Sequence, residues 1–194
     1  MVGNIANFRK LDIIRCLLKI DRPVSRSNLS QMLGLGEGTI RSILDILKEK
    51  DLLVSDKQGH SLSANGNSVV RKIKNYIEIG KVNLDSIYQG KKNIAIHIKN
   101  PKKIEKAVEL RDTAVKNGAD GALILEYDGQ IKFYESIDSD TEHNFNEIEN
   151  KFDLSKDDMV IVAYADSYML AEHGALAVAI ELCDEIKNIM QGFK

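Results

Sequence analysis

The tightest constraint on this chain is the spacing of its apolar residues between positions 8 and 62. Phe8, Leu11, Ile14, Leu17 and Leu18 recur at intervals of three and four, which places them on one face of a helix. Pro23 halts any continuation, and Ser25 stands where its hydroxyl can cap a second, short helix. Leu29, Met32 and Leu33 supply the apolar side of that helix. Gly34-Leu35-Gly36 then predicts a tight turn, with glycine where the backbone needs positive φ. Ile40, Ile43, Leu44 and Leu47 define a third helix. Asp51 ends it, a residue that tolerates the left-handed conformation better than most. Leu52-Leu53-Val54 and Ser61-Leu62 predict two short strands around positions 56–60.

Helix, capped helix, turn, helix and hairpin in that order predict a winged helix-turn-helix, built to set one helix into a DNA major groove. With its apolar stripe buried, the third helix turns Gly38 and Ser42 outward and carries Thr39 and Arg41 on its flanks. Arg41 can reach guanine or phosphate, Thr39 and Ser42 can bond to phosphates or base edges, and Gly38 lets the backbone come close. Lys57, Gln58 and His60 would lie along a neighbouring groove. Arg22, Arg26 and the Arg71/Lys72/Lys74 cluster are candidate phosphate contacts. Asp45 and Glu49 would repel phosphate, so the helix should enter by its N-terminal end.

The charge distribution agrees. Residues 1–80 carry 13 Lys+Arg against 8 Asp+Glu, residues 81–194 carry 14 against 21, and the whole chain is −2. A basic front and an acidic back fit a nucleic-acid module joined to something that does not touch nucleic acid. No apolar run approaches the ~18 residues of a membrane span, and the N-terminus lacks a secretory pattern, so the expected location is the cytoplasm. Cys16 and Cys183 each fall inside an apolar helical pattern and read as small core residues in a reducing compartment.

Beyond the first domain (residues 1–80, closed by a helix from Ser68), residues 81–92 read as a linker and residues 93–194 as a second domain. Ile94, Ile96 and Ile98 alternate as in a half-buried strand, which leaves His97 on the exposed side. A helix runs to Asn117-Gly118, and two strands joined at Asp128-Gly129 follow. Next come a short helix around Phe145, Ile148 and Phe152, a buried strand over 159–165, and one long helix over 167–190. The order β-α-β-β-(short α)-β-α predicts a two-layer α+β sandwich. The fold class is therefore α+β: a winged helix-turn-helix followed by that sandwich.

Asp166 follows a buried strand and precedes a helix, a usual place for ligand contacts, with Tyr168, Glu172 and His173 nearby. The competing interpretation, favoured, makes Asp166 or Ser167 a helix cap and leaves Glu172 and His173 facing solvent. Ala171, Ala175 and Ala179 form a packing stripe. No serine, cysteine or carboxylate constellation suits catalysis. The histidines at 60, 97, 143 and 173 lack metal spacing. The expectation is no enzyme, no cofactor and no metal.

The segment LSQMLGLGEGTIRSILDILKEKDLLV resembles the helix-turn-helix and wing entry of prokaryotic winged-helix transcriptional regulators. Gly36 and Gly38 depart from the serine common there, and Asp51 from the usual glycine. With NGADGALILEYDG and MVIVAYADSYMLAEHGALAVAIEL, the whole chain is similar to an archaeal two-domain family in which a winged helix precedes an uncharacterised α/β domain. NGADGALILEYDG is also similar to the dimerising segment of roadblock-type domains. The resemblance implies a transcription regulator. The expected partners are double-stranded DNA, a second copy of the chain and a small-molecule effector; the alternative is a protein-interaction adaptor that docks through its winged helix.

Overall fold

The structure, a computed structural model, describes residues 8–84, 87–104, 106–134 and 144–193. It divides into two compact units, Met1–Ile73 with Asn188–Lys194, and Lys74–Lys187.

The first unit holds α1 (Lys10–Lys19), α2 (Arg26–Leu33), α3 (Glu37–Glu49), β1 (Leu53–Asp56), β2 (Gly59–Leu62) and most of α4 (Ala64–Tyr76). The apolar spacing decides its core: Leu11, Ile14, Leu17, Leu29, Leu33, Ile40, Ile43, Leu44 and Leu47 are all buried. Phe8 and Leu18 are only half-buried, and Met32 is exposed. Leu29 and Leu33, one turn apart, complete the inner side of an eight-residue helix, and Met32 is turned out with half its surface exposed. Ser25 Oγ accepts the Asn28 N–H at 3.1 Å, and Gly34 closes α2 in the left-handed conformation. Gly36 caps α3 without a side-chain bond, and Asp51 takes a φ of 53°.

Between β1 and β2 the turn is locked from below. Val24 pairs with His60 through bonds of 3.0 and 2.9 Å, a single bridge that extends the pairing beside the hairpin. Gly59, at φ 132°, lies against the Val24 backbone, and a Cβ there would meet Val24 O at 2.6 Å. Only glycine fits.

One buried ion pair ties α1 to α2. Arg15 Nη1 donates to Asp12 Oδ1 at 2.7 Å, its Nη2 donates to the Leu33 carbonyl at 3.2 Å, and the Arg9 N–H donates to Asp12 Oδ2. Both side chains are 2% exposed. Beside them, burial pushes the Cys16 thiol up to about 12. Cys183 is buried too, and both cysteines are free thiols.

The second unit is built on one antiparallel sheet in the order β3-β4-β7-β5-β6. Its elements are β3 (Ile77–Val82), β4 (Lys92–Ile98), α5 (Ala107–Lys116), β5 (Gly121–Tyr127), β6 (Ile131–Phe133), α6 (Asn146–Lys151), β7 (Met159–Ala165) and α7 (Tyr168–Leu182), and α8 (Asp184–Gln191) starts in this unit and ends in the first. β7, last of the strands in sequence, sits at the centre between β4 and β5.

Three expectations change here. The linker over 81–92 is not a linker: β3 continues to Val82 and pairs with β4, Ile77 opposite Ile98 and Val82 opposite Asn93. The long terminal helix is two helices. Cys183 is extended, the Leu182 carbonyl accepts the Lys102 N–H, and Asp184 and Glu185 open α8 where acids suit a helix N-terminus. The sheet is also covered on both faces. Ile94, Ile96, Met159, Ile161 and Ala163 share the side packed by α5 and α7, while Ala95, Leu123, Leu125, Val160 and Val162 pack with Phe145, Ile148 and Phe152 around α6. Two layers become three. Parts of the second hairpin strand (135–136) and of the acidic stretch (137–143, with His143) lie outside the described residues.

Candidate functional site

In the first unit the helical stripe fixes which α3 side chains point outward. Glu37, Gly38, Arg41, Asp45, Lys48 and Glu49 are exposed, and Thr39 and Ser42 are half-buried. Arg41 and Lys48 lie seven residues apart on one side of the helix, with Asp45 between them. Lys48 was missed in sequence, although its i+7 spacing from Arg41 was the available signal.

Two expected contacts are already engaged. Arg26 Nε donates to Glu37 Oε2 at 3.1 Å, joining the starts of α2 and α3. Ser42 Oγ donates to the Gly38 carbonyl at 3.3 Å, a bond within its own helix. At the hairpin tip Lys57 and Gln58 are exposed, and Asp56 Oδ1 accepts the Gln58 N–H at 2.8 Å.

His60 pairs across the hairpin with Ser55 and on its other side with Val24, and charges on α3 act on its ring. Its Nδ1 shares a 2.7 Å hydrogen bond with Ser55 Oγ. Burial lowers its affinity for a proton, the Lys48 and Arg26 cations lower it further, and Asp45 opposes them. Arg26, Lys48 and His60 thus form a local concentration of positive potential beside α3. Arg22, Arg71, Lys72 and Lys74 are exposed as well.

The second-unit candidates divide into two pairs with different surroundings. Asp166 is exposed, and its Oδ1 accepts from Lys91 Nζ at 2.6 Å; the same ammonium reaches Asp120 Oδ2 at 2.7 Å. Those two carboxylates push the Lys91 amine above its usual range. Ser167 is the cap of α7, its Oγ accepting the Leu170 N–H at 3.3 Å. Tyr168 is exposed, with Lys81 Nζ 4.0 Å and Lys92 Nζ 5.8 Å from its ring centroid.

Glu172 and His173 do not face solvent. α7 is buried continuously from Ala171 to Ala179, and they are 6% and 3% exposed. The Ala171, Ala175 and Ala179 stripe is fully buried.

His97 corrects its expectation most sharply. It is fully buried, because the face opposite Ile96 and Ile98 is the one covered around α6. Its Nε2 donates to Asp158 Oδ2 at 2.7 Å, and that oxygen also accepts the Ser155 N–H at 2.9 Å. The Phe152 ring lies 5.8 Å away. Nδ1 has no partner among the described residues. No group of three metal-ligating side chains comes together among them either, and no described helix is long and apolar enough to cross a membrane.

Fold and surface together define a class: a two-unit α/β protein in which a small helical unit with a hairpin precedes a larger antiparallel-sheet unit. Comparison with known proteins makes the class specific. Residues 11–68 match the family description "PH0730-like, N-terminal domain", and residues 89–182 match a domain of unknown function, DUF4443. The structure of "Hypothetical protein PH0730 from Pyrococcus horikoshii OT3" is similar at 31% identity and a TM-score of 0.81, covering 96% of this chain and 100% of that one. The chain belongs to the PH0730-like family. The crystal structure of Pseudomonas aeruginosa HmgR aligns at 12% identity and a TM-score of only 0.31, over 89% of this chain and 97% of that one, which is too low to inform fold or function. No curated protein matches.

Proposed function

We propose that the chain is a DNA-binding transcriptional regulator, cytoplasmic and non-catalytic, whose first unit is a winged helix-turn-helix. The observation that carries this reading is the outer side of α3, where Gly38 bares the backbone near the N-terminal end and exposed Arg41 and Lys48 follow, together with an exposed hairpin tip bearing Lys57 and Gln58. A helix with cations and small residues outward suits the major groove, and the hairpin suits the adjacent backbone. Two copies would read half-sites about one helical turn, ~34 Å, apart. The second unit would dimerise the chain, sense a small molecule, or both.

A second reading has its own support. Glu37, Asp45 and Glu49 interrupt the cations on α3, and Met32 is exposed on α2, which suits a docking surface for a partner protein.

Fluorescence polarisation with labelled duplexes separates the two. The regulator binds duplex with an affinity that falls steeply between about 50 and 200 mM salt, because bound phosphates release counterions. Arg41→Ala with Lys57→Ala weakens it about tenfold or more and lowers the salt slope by about two. Absence of salt-sensitive binding to any duplex removes the regulator and leaves the adaptor.

A further inference from the structure

The second unit contains a cleft of about 450 Å³ at the start of β5, within the size range of small-molecule sites. Its walls are mostly apolar or aromatic: Tyr88, Leu123, Phe133 and Tyr164, with Gly121 among them. Tyr88 and Tyr164 stack with ring centroids 3.7 Å apart and planes 18° from parallel. Gly121 permits that arrangement, since a Cβ there would meet the Tyr164 hydroxyl at 2.3 Å and push the stack aside.

Among the described residues that line the cleft one is charged, Arg111 on α5. Among the described residues it forms no ion pair, and none of those that line the cleft is acidic. Burial and a hydrogen bond with Tyr164 push the Tyr88 hydroxyl up to about 12, so its proton is held within the stacked pair and Arg111 is the group left to meet an anion.

A lone guanidinium beside three aromatic rings and apolar walls has a defined complement. We infer that this cleft binds a small planar aromatic carboxylate, with the acid on Arg111 in the bidentate geometry that guanidinium favours and the ring against Tyr88 and Phe133. Cation and rings select together: an aliphatic acid forgoes the stacking, and a neutral aromatic amide forgoes the charge-assisted pair. The site is distinct from Asp166, Tyr168, Glu172 and His173. Its role as an effector pocket rests on the regulator reading; the binding itself does not.

Isothermal titration calorimetry of the full chain with benzoate, 4-hydroxybenzoate and indole-3-acetate tests the inference, with benzamide and acetate as controls. At least one aromatic acid should bind one to one, with the two controls about tenfold weaker or worse. Arg111→Gln, a change at an exposed position that leaves the core intact, should weaken the acid about tenfold, and Tyr88→Leu should weaken it as well. With no tryptophan among six tyrosines, tyrosine fluorescence gives a second readout of the same site. The inference is overturned when none of the three acids binds, when benzamide matches benzoate, or when Arg111→Gln leaves the affinity unchanged. A chain that binds an aromatic acid but no duplex keeps this inference and loses the regulator.

Discussion

The two units conceal polar side chains in opposite ways. In the first, Asp12 and Arg15 are three positions apart on one helix, and the surrounding backbone takes up capacity that the pair leaves over. In the second, His97 reaches Asp158 across 61 positions, and one ring nitrogen is left without a partner among the described residues. The local pair can form as soon as α1 does. The distant pair exists only once β4 and β7 are neighbours, so it reports on the assembled sheet. The difference implies separate vulnerabilities.

The largest expected effect comes from breaking the local pair. Arg15→Leu leaves the Asp12 carboxylate buried without its cation, at a cost of about 3–5 kcal/mol. Urea denaturation measures that loss, and amide hydrogen exchange locates it. Protection should fall in α1, α2 and α3 while β4 and β7 keep theirs. Simultaneous loss in the central strands would show that the units do not fold separately, and the contrast would fail.

Gly59→Ala comes next. The new Cβ meets Val24 O at 2.6 Å in a positive-φ conformation that alanine avoids, for a cost of about 1–3 kcal/mol. The loss should again be confined to the first unit, and Gly59→Asn should be no better, because the obstacle is backbone rather than a side chain that could move.

His97→Leu should cost less than either, about 1–2 kcal/mol. Asp158 keeps the Ser155 N–H, and leucine occupies the buried site without an unpartnered nitrogen. Urea denaturation checks the total, and hydrogen exchange should place the loss in β4 and β7. A penalty above that of Arg15→Leu would mean that the distant pair anchors the chain and would reverse the comparison.

The same contrast explains what could be read from the sequence. α1, α2 and α3, the Ser25 cap, the Gly34 turn and the left-handed Asp51 follow from spacings of three and four and from local backbone chemistry, so each carries its own signal. Even there Asp12 and Arg15 look like a solvated i,i+3 pair, because nothing in α1 reveals that α2 will cover them. In the second unit the strand at 93–99 was legible, yet the burial of His97 depends on residues around α6 more than 45 positions later. Glu172 and His173 misled for the same reason: a helix buried on every side has no polar stripe to mark its outside. The cleft at Arg111 draws on residues from 87 to 164, with no motif to announce it. At the candidate DNA surface, Arg41 and the hairpin tip were read directly, whereas the Arg26–Glu37 bond needed two helix starts brought together.

The smallest effect is the most diagnostic of the first unit's surface. Burial and the neighbouring Lys48 and Arg26 hold the His60 imidazole below its usual 6.5. The unfolded chain therefore binds the proton more readily, so folding stability is lost as the pH falls below that value. His60→Gln should flatten the decline between about pH 7.5 and 5.5. A phosphate placed against Arg26, Lys48 and His60 reverses the sign, since an anion favours the protonated ring. Duplex affinity should then rise over the same interval in which the free protein weakens, and His60→Gln should remove both trends together. Affinity independent of pH would place the phosphate elsewhere, at the Arg41 end of α3, and leave His60 as a link between the hairpin and Val24.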